Sequence, residues 1–260
     1  MKNDRRSIHD RHMNILNMVR ENGEATVEEI AQEFGISEMT VRRDLQSLSE
    51  KSLLYRVHGG AVSLANAKLA TDDKSEVSIC RDRISAYASR FVANGDTLFI
   101  NGSITALNLL DYVKDKQVNV HTNNLNVIGK NYASGVRIRL TGGEIRGYIL
   151  IGDSVMRHLL EMTADKTFIG CAAVYDDGEF RYDVPTEIGI NEAMISRTTK
   201  GLYILADHTK LQKRSNQISS YGSCIYDYPS TLITDELADP EIVDTLRSLG
   251  IQVIVVPIRD

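Results

Sequence analysis

The chain has 260 residues, of which 42% are hydrophobic and 25% charged, and its formal net charge is −5 at pH 7. This length can hold a small domain and a larger one with a substantial core, and the composition is ordinary for a soluble globular protein. No apolar run approaches membrane-spanning length and the N-terminal segment has no apolar signal region, so we expect a cytoplasmic protein without a membrane partner.

The first predicted elements are two helices, the second of which ends in a tight turn. Residues 13–22 supply the apolar positions of the first helix, and residues 27–34 form the second. Gly35 follows the second helix and gives the chain a sharp turn. One face of the second helix carries its apolar side chains, Ile30, Ala31 and Phe34.

A third predicted helix begins after Ser37, whose hydroxyl can cap it. Apolar side chains at i, i+4 and i+7 form its buried stripe: Val41, Leu45 and Leu48. The outer face keeps Glu38, Met39, Arg42, Arg43 and Gln46. Two adjacent arginines near a helix N-terminus suit the DNA major groove, where Arg contacts phosphate or forms bidentate hydrogen bonds with guanine. The alternative is a solvated helix that happens to carry two arginines.

Residues 53–61 alternate in part between apolar and polar side chains and have a glycine pair, Gly59–Gly60, near their end. This pattern predicts a short hairpin, the wing of a winged helix. Arg56 and His58 on this hairpin could reach a phosphate or a minor groove. Residues 1–60 contain nine Lys and Arg residues against ten Asp and Glu residues. DNA binding must therefore depend on local clusters of basic side chains rather than on net charge.

The segments SEMTVRRDL (residues 37–45) and LYRVHGGA (residues 54–61) together resemble the DNA-binding signature of DeoR-family bacterial transcriptional regulators. The resemblance implies a winged helix-turn-helix that meets operator DNA through Thr40, Arg42 and Arg43. It also implies that Asp44 is structural and pairs with a nearby basic side chain or backbone amide. The complete set of predicted DNA-binding residues is Ser37, Glu38, Met39, Thr40, Arg42, Arg43, Gln46, Arg56 and His58.

The sequence divides into a winged helix-turn-helix at residues 1–62, a small and polar linker at 63–76, and an α/β domain at 77–260. Helices of the α/β domain are predicted at 77–92, 105–113, 125–133, 154–162, 188–198 and 240–249. Strands are predicted at 96–100, 118–122, 136–140, 166–170, 202–206, 232–234 and 253–256. Apolar strands that alternate with helices indicate a parallel sheet covered on both faces, with ligands bound at the carboxyl ends of the strands.

Five polar turns, three of them containing glycine, follow strands of this sheet and form a candidate effector site. The first, Asn101–Thr105, opens a helix and could bind an anion, although a Ser103-capped helix start explains it equally well. Arg146 and Lys210 could neutralise a phosphate, and Asp207 could accept bonds from sugar hydroxyls or orient Lys210. The alternative for Arg146 is a solvated charge on a loop, and the alternative for Lys210 is an ordinary surface lysine. The predicted effector-binding residues are Asn101, Ser103, Thr105, Thr122, Asn123, Gly142, Gly143, Arg146, Asp207 and Lys210.

This region also resembles the sensor domain of the DeoR family, so the resemblance spans nearly the whole chain. It implies a Rossmann-like domain, similar in fold to ribose-5-phosphate isomerases and CoA transferases, that binds a phosphorylated sugar or related metabolite and changes operator affinity. The chain departs from the family pattern at Asn101, where an Asp is usual, and at Ile104, where a hydroxyl residue is usual. Ala173 stands where a polar or acidic residue is common, and residues 178–182 lack the usual Gly-Leu-Thr run.

Cys80, Cys171 and Cys224 are odd in number, far apart and without metal-ligand spacing, so we expect reduced core or near-core thiols. The only close histidine pair, His9 and His12, lies in a polar N-terminal stretch. We therefore expect neither a metal nor another cofactor.

The sequence as a whole indicates a sequence-specific transcriptional regulator, a repressor of a carbohydrate-utilisation operon released from double-stranded operator DNA by a sugar phosphate. We expect a homodimer or homotetramer, because two DNA-binding domains on a palindromic site multiply the sequence specificity. The alternative is a sugar-phosphate isomerase-like enzyme with a DNA-binding appendage, with Glu187, Asp207 and Lys210 as acid and base groups. We expect no enzyme, because no nucleophile–base pair has recognisable spacing.

Overall fold

The computed structural model describes residues 2–50, 53–57, 59–63, 76–182, 185–214, 221–224 and 228–259. The chain separates into two compact units, Met1–Lys74 and Ser75–Asp260. Most of the predicted linker, residues 63–76, lies outside the described residues. Among the helices that are described, none combines the length and the apolar character needed to cross a bilayer.

The first unit contains three helices and a small antiparallel sheet. The helices are α1 (Lys2–Asn22), α2 (Val27–Phe34) and α3 (Glu38–Glu50), and the strands are β1 (Glu24–Thr26), β2 (Tyr55–Val57) and β3 (Gly60–Val62). The strands lie in the order β1-β3-β2. The predicted three helices and wing hairpin are confirmed. The sequence did not predict β1, because three residues with one buried side chain, Ala25, are too short for a periodic signal.

Local sequence explains where the helices of this unit begin and end. Thr26 and Glu29 form a capping box at the start of α2, in which each side chain accepts a hydrogen bond from the other residue's backbone. Gly35 ends the helix in the left-handed region, at φ 60°. The apolar stripes meet in a small core whose buried members include Ile15, Leu16, Val19, Ile30, Val41, Leu45 and Leu48.

The second unit is built on a seven-stranded parallel sheet. Its strands and the shorter ones around it are β4 (Thr97–Ile100), β5 (Val118–Thr122), β6 (Val136–Leu140), β7 (Glu144–Arg146), β8 (Ile149–Ile151), β9 (Ala164–Ile169), β10 (Ala173–Tyr175), β11 (Glu179–Tyr182), β12 (Thr198–Leu205), β13 (Leu211–Gln212), β14 (Tyr221–Cys224), β15 (Thr231–Asp235) and β16 (Gln252–Val256). The helices are α4 (Glu76–Ala88), α5 (Ile104–Asn108), α6 (Asp153–Glu161), α7 (Pro185–Ser196) and α8 (Pro240–Ser248). The large sheet has the order β16-β15-β12-β9-β4-β5-β6.

Both faces of this sheet are buried, as the sequence predicted. Neighbouring side chains of β4 point to opposite faces, so Phe99 packs into one hydrophobic cluster while Leu98 and Ile100 pack into the other. Phe168 and Ile169 of β9 divide between the two clusters in the same way. The seven predicted strands of the α/β domain are all present.

Three features of this unit differ from the sequence prediction. The helix predicted at 125–133 is only a 3₁₀ turn at Leu125–Val127, because the backbone is already extended at Ile128, with ψ 133°, and Gly129 has a positive φ of 80°. The β7–β8 hairpin was not predicted, nor was a second sheet with the order β13-β10-β11-β14. Strands of two to four residues give too short a periodic signal to separate from loops.

Candidate functional site

The exposed side of α3, which we call the recognition surface, consists of Glu38, Met39, Arg42, Arg43 and Gln46. All five side chains are exposed, and Met39 keeps 72% of its surface in solvent. On the opposite side of the helix Val41, Leu45 and Leu48 are fully buried. The predicted division of α3 into an inner and an outer face is therefore confirmed.

Two hydroxyl side chains fix the first turn of α3. Ser37 Oγ accepts a hydrogen bond from the backbone N–H of Thr40 at 3.2 Å, which confirms the predicted cap. The Ser37 and Thr40 hydroxyls also lie 2.9 Å apart, within hydrogen-bonding distance of each other. These two predicted DNA-binding residues thus stabilise the helix start from which Arg42 and Arg43 project.

Two basic side chains of this unit, Arg42 and Arg56, make exposed contacts with side chains of α3. Arg42 donates to the Glu38 carboxylate at 2.8 Å one helical turn away, and both side chains are more than half exposed. Such an exposed pair contributes about 0.3–0.5 kcal/mol. Arg56 on β2 donates to the side-chain oxygen of Gln46 at 2.7 Å, which connects the wing to α3. His58 lies outside the described residues.

Asp44 has a structural role, as the resemblance implied. Its carboxylate is 4% exposed and accepts two hydrogen bonds from Arg11, at 2.6 and 3.0 Å, and lies 3.0 Å from Nε2 of His12. Burial raises the pKa of the Asp44 carboxyl, but the hydrogen bonds and charges of Arg11 and His12 outweigh it and lower the pKa overall. This contact joins α1 to α3 and holds the recognition surface in place.

The predicted effector residues follow adjacent strands of the large sheet. We call the five segments at the carboxyl ends of these strands the strand-end loops: residues 101–105, 122–124, 141–143, 170–172 and 206–210. The strands that precede them, β4, β5, β6, β9 and β12, are neighbours in the order β12-β9-β4-β5-β6. Since all are parallel, their carboxyl ends lie along one edge of the sheet.

Asn101 connects two of these loops and uses its whole hydrogen-bonding capacity on the protein. Its Nδ2 donates to the Gly170 carbonyl and to Asn191 Oδ1, both at 3.0 Å. Its Oδ1 accepts from the backbone N–H groups of Ser103 and Gly170, both at 3.1 Å. Ser103 then caps α5 through the N–H of Ala106. Asn101 therefore positions the loop, and the plain prediction of a Ser103-capped helix start is confirmed.

The β7–β8 hairpin packs against two strand-end loops. A side chain at Gly102 would collide with Ile149 of the hairpin. Asn123 binds the hairpin through Leu150: its side-chain Nδ2 donates to the Leu150 carbonyl at 3.1 Å, and its backbone carbonyl accepts from the Leu150 N–H at 2.7 Å. The Asn123 side-chain oxygen is buried and has no hydrogen-bond partner among the described residues. Arg146 is exposed on β7, in register with Ile149.

The remaining loop residues are arranged around this hairpin. Thr122 Oγ1 accepts from the N–H of Asn124, whose side chain donates to the Ser103 carbonyl at 3.2 Å. Thr105 is buried in α5. Gly142–Gly143 forms the exposed turn between β6 and β7 with φ values of 73° and 113°, which favour glycine. The structure thus brings the loops after β4, β5 and β6 together with the hairpin.

Asp207 follows β12 and is engaged with a side chain that the sequence did not identify. Arg81 of α4 donates from Nε to Asp207 Oδ2 at 2.7 Å, and the backbone and hydroxyl of Thr209 donate to Oδ1. Burial raises the pKa of the Asp207 carboxyl, but the Arg81 charge and these hydrogen bonds lower it overall, with a smaller contribution from Lys210. Asp207 is 2% exposed, whereas Lys210 is half-buried.

A sequence signal for Arg81 exists but is indirect. Arg81 precedes the buried Ile84 by three residues, so helical periodicity places both on the packed face of α4. A charge on such a face requires an acidic partner, because an unpaired buried charge is costly. The sequence cannot identify that partner, Asp207, which lies 126 residues away.

Comparisons with known proteins match both units. Residues 11–67 match the DeoR-like helix-turn-helix domain, and residues 79–236 match the DeoR C terminal sensor domain. The glycerol-3-phosphate regulon repressor of Escherichia coli K12 is 30% identical over 226 residues, covering 82% of this chain and 86% of that protein. The lactose phosphotransferase system repressor of Staphylococcus aureus is 27% identical over 253 residues, covering 92% and 96%.

Two solved structures match this chain over about half of their own length. Ribose 5-phosphate isomerase from Plasmodium falciparum has 12% sequence identity and a TM-score of 0.37, covering 53% of this chain and 54% of that chain. The eIF2B beta subunit from Chaetomium thermophilum has 18% identity and a TM-score of 0.40, covering 56% of this chain and 48% of that chain.

Proposed function

Because this chain belongs to the DeoR family of transcriptional regulators, we propose that it represses a carbohydrate-utilisation operon and is released from DNA by a phosphorylated sugar or related metabolite. Its helix-turn-helix unit is a DNA-binding domain. The relatives are named as repressors of glycerol-3-phosphate and lactose phosphotransferase genes. These names support a sugar-related effector for this chain without defining which one.

For the DNA contact we propose that α3 enters the major groove with the recognition surface facing the bases. The observation that carries this proposal is the exposure of both Arg42 and Arg43 on a helix whose opposite face is buried. Arg56 contributes a phosphate contact from the wing, and its bond to Gln46 fixes the spacing between wing and helix.

For the effector contact we propose that the strand-end loops and the β7–β8 hairpin bind the ligand together. The observation that supports this is the buried, unpaired oxygen of Asn123, which could accept a hydrogen bond from a sugar hydroxyl. Lys210 and Arg146 would supply positive charge for a phosphate. The bonds of Asn101 and Asp207 to the protein assign these two residues to loop positioning in this proposal.

We further propose that the regulator acts in the cytoplasm as a homodimer or homotetramer on a palindromic operator. A single small DNA-binding domain gives little sequence specificity, and two such domains on related half-sites multiply that specificity. Light scattering of the purified protein, with and without operator DNA, measures the assembly directly. A monomer that binds a single half-site with full affinity would contradict this part of the proposal.

The experiment for the whole proposal is a gel shift on the promoters upstream of and next to the protein's own gene. A duplex of shuffled sequence at the same salt concentration is the control, because nonspecific affinity depends strongly on salt. Pentose and hexose phosphates are then added singly. We expect a specific shift that a single phosphorylated metabolite reverses, and an equal shift with shuffled DNA would contradict sequence-specific binding.

An isomerase-like enzyme is the second candidate, and the structure gives it little support. The Asp207 carboxylate is held by Arg81 with a lowered pKa, so it is a weak proton acceptor and not a proton donor near neutral pH. Incubation with the same sugar phosphates, followed by analysis of the products, tests this alternative. Turnover above the rate without protein would establish an activity that the proposed function does not include.

A further inference from the structure

Three side chains with metal-binding chemistry meet where α4 packs against the large sheet. They are Cys80 of α4, His208 in the 3₁₀ turn after β12, and Asp235 at the end of β15. Their candidate ligand atoms, the thiol sulfur, an imidazole nitrogen and a carboxylate oxygen, all lie within 4.8 Å of one another. Cys80 and Asp235 are fully buried, and the His208 side chain is 21% exposed, which leaves a route from solvent.

The surrounding structure holds all three side chains in position. Asp235 accepts backbone hydrogen bonds from His208 at 2.7 Å and from Leu237 at 3.1 Å. His208 Nδ1 lies 2.9 Å from Asp235 Oδ1. The turn that carries His208 is capped by Asp207, which Arg81 holds from α4, the helix that also carries Cys80. The backbone N–H groups of His208 and Leu237 therefore fix Asp235, and the Asp207–Arg81 pair joins the turn that carries His208 to the helix that carries Cys80.

Thiolate, imidazole and carboxylate are the protein donors of Zn²⁺, and three of them leave one coordination position open. A soft thiolate beside nitrogen and oxygen donors favours Zn²⁺ over Mg²⁺ or Ca²⁺. Binding would release the thiol proton of Cys80 to bulk water. His208 Nδ1, which donates to Asp235 Oδ1 in the metal-free chain, would give up that proton to water and bind as the neutral imidazole, with Nε2 taking its proton from water. The two backbone bonds to Asp235 would remain.

We propose that Cys80, His208 and Asp235 bind a thiophilic divalent cation, Zn²⁺ in the first instance. The site goes beyond the proposed sensing of a metabolite, because none of its three ligands belongs to the predicted DNA-binding or effector-binding residues. The ligands come from elements far apart in the sequence, so their spacing gave no metal-binding signal. The cation would fasten α4 to the ends of β12 and β15.

The test uses the full-length chain, stripped of metal with a chelator and titrated with Co²⁺ as a spectroscopic substitute for Zn²⁺. A variant that keeps Cys80 as its only cysteine, Cys171→Ser with Cys224→Ser, assigns any thiolate-to-cobalt charge-transfer band to Cys80. We expect this band to saturate at one Co²⁺ per chain and to disappear when Zn²⁺ is added. His208→Ala should weaken Co²⁺ binding at least tenfold.

A folded Cys80-only variant without a charge-transfer band would overturn the proposal, and so would unchanged Co²⁺ affinity in His208→Ala. Circular dichroism establishes that each variant is folded. If the Cys80-only variant does not fold, wild type and Cys80→Ser give the same decision. The band must then be present in wild type and absent in Cys80→Ser, and a band that survives in Cys80→Ser contradicts the site.

Discussion

Val41, Arg42 and Arg43 are consecutive residues of α3 with opposite surroundings, so substitutions should separate DNA binding from folding. Arg42→Ala or Arg43→Ala should weaken operator binding by roughly 1–3 kcal/mol per half-site contact. Unfolding free energy should change little, because both side chains are exposed and the Arg42 pair with Glu38 is weak. Titration of labelled operator at fixed salt and urea unfolding measure the two quantities.

The matched control is Val41→Ala, which removes fully buried methyl groups. It should lower the unfolding free energy by about 1.5–3 kcal/mol, from lost apolar burial and the cavity that remains. If both arginine variants bind the operator like wild type, α3 does not meet DNA through this surface.

Asn101 provides a second test at the level of single residues. Asn101→Asp keeps the shape of the side chain but removes the donor to the Gly170 carbonyl, a backbone group that cannot reorient. We expect destabilisation of at least about 1–3 kcal/mol, since a buried acceptor loses its partner and faces a second oxygen. Urea unfolding of the purified variant gives the value.

Asn108→Asp is the matched control for this substitution. Asn108 Oδ1 accepts from Lys130 Nζ at 3.0 Å, so a carboxylate there keeps its basic partner. The stability of Asn108→Asp should be unchanged or slightly higher. Equal effects of the two substitutions would show that Asn101 does not depend on its donor bonds.

Among the elements, α1 and α3 are joined by the buried contact of Arg11 and His12 with Asp44. The folded-state pKa of Asp44 is lowered from its ordinary 3.8, so its contribution to stability is present above that value and is lost as pH falls through the folded pKa. Asp44→Asn should be less stable than wild type at neutral pH, and the difference should narrow in acid below pH 3.8. Unfolding followed across this range measures the difference, and a gap independent of pH would contradict the assignment.

The contact between α4 and the end of β12 predicts strong coupling between Arg81 and Asp207. Arg81→Ala alone should cost about 3–5 kcal/mol, because it leaves a buried carboxylate without its cation. Adding Asp207→Asn removes that charge, so the double variant should be destabilised by less than the sum of the single changes. A double-mutant cycle of unfolding free energies gives the coupling, and strict additivity would mean that the two side chains do not interact.

The sequence predicts long elements well and side-chain partnerships poorly. Seven strands of the sheet and the burial of α3 follow from apolar periodicity, which each segment carries by itself. The turn at Leu125–Val127 was predicted as a helix because the apolar spacing there outweighed the break at Gly129, whose φ is 80°. The partners of Asp44 and Asp207 lie 33 and 126 residues away, and no local pattern specifies them.

The candidate effector site shows the same limit. Its loops could be located because every parallel strand ends at one edge of the sheet. The hydrogen bonds within the loops could not be predicted, because Asn101 bonds to Gly170 and Asn191, which lie 69 and 90 residues away along the chain. His58 is outside the described residues, so its role in the wing stays a prediction.

For the whole molecule, we propose that a metabolite bound in the second unit controls DNA binding by the first. A ligand can shift this equilibrium only if it binds the DNA-free form more tightly than the DNA-bound form. Lys210 should contribute to that ligand through its positive charge. Lys213, an exposed lysine paired with Glu241, supplies a matched control outside the predicted effector set.

The decisive measurement is operator affinity by fluorescence anisotropy, with increasing effector, for wild type, Lys210→Ala and Lys213→Ala. We predict equal affinity of all three proteins without effector. With effector, wild type and Lys213→Ala should release the operator, whereas Lys210→Ala should stay bound at the same concentration. Release of all three at the same effector concentration would contradict a phosphate contact at Lys210, and no release by any sugar phosphate would contradict control of DNA binding by such a ligand.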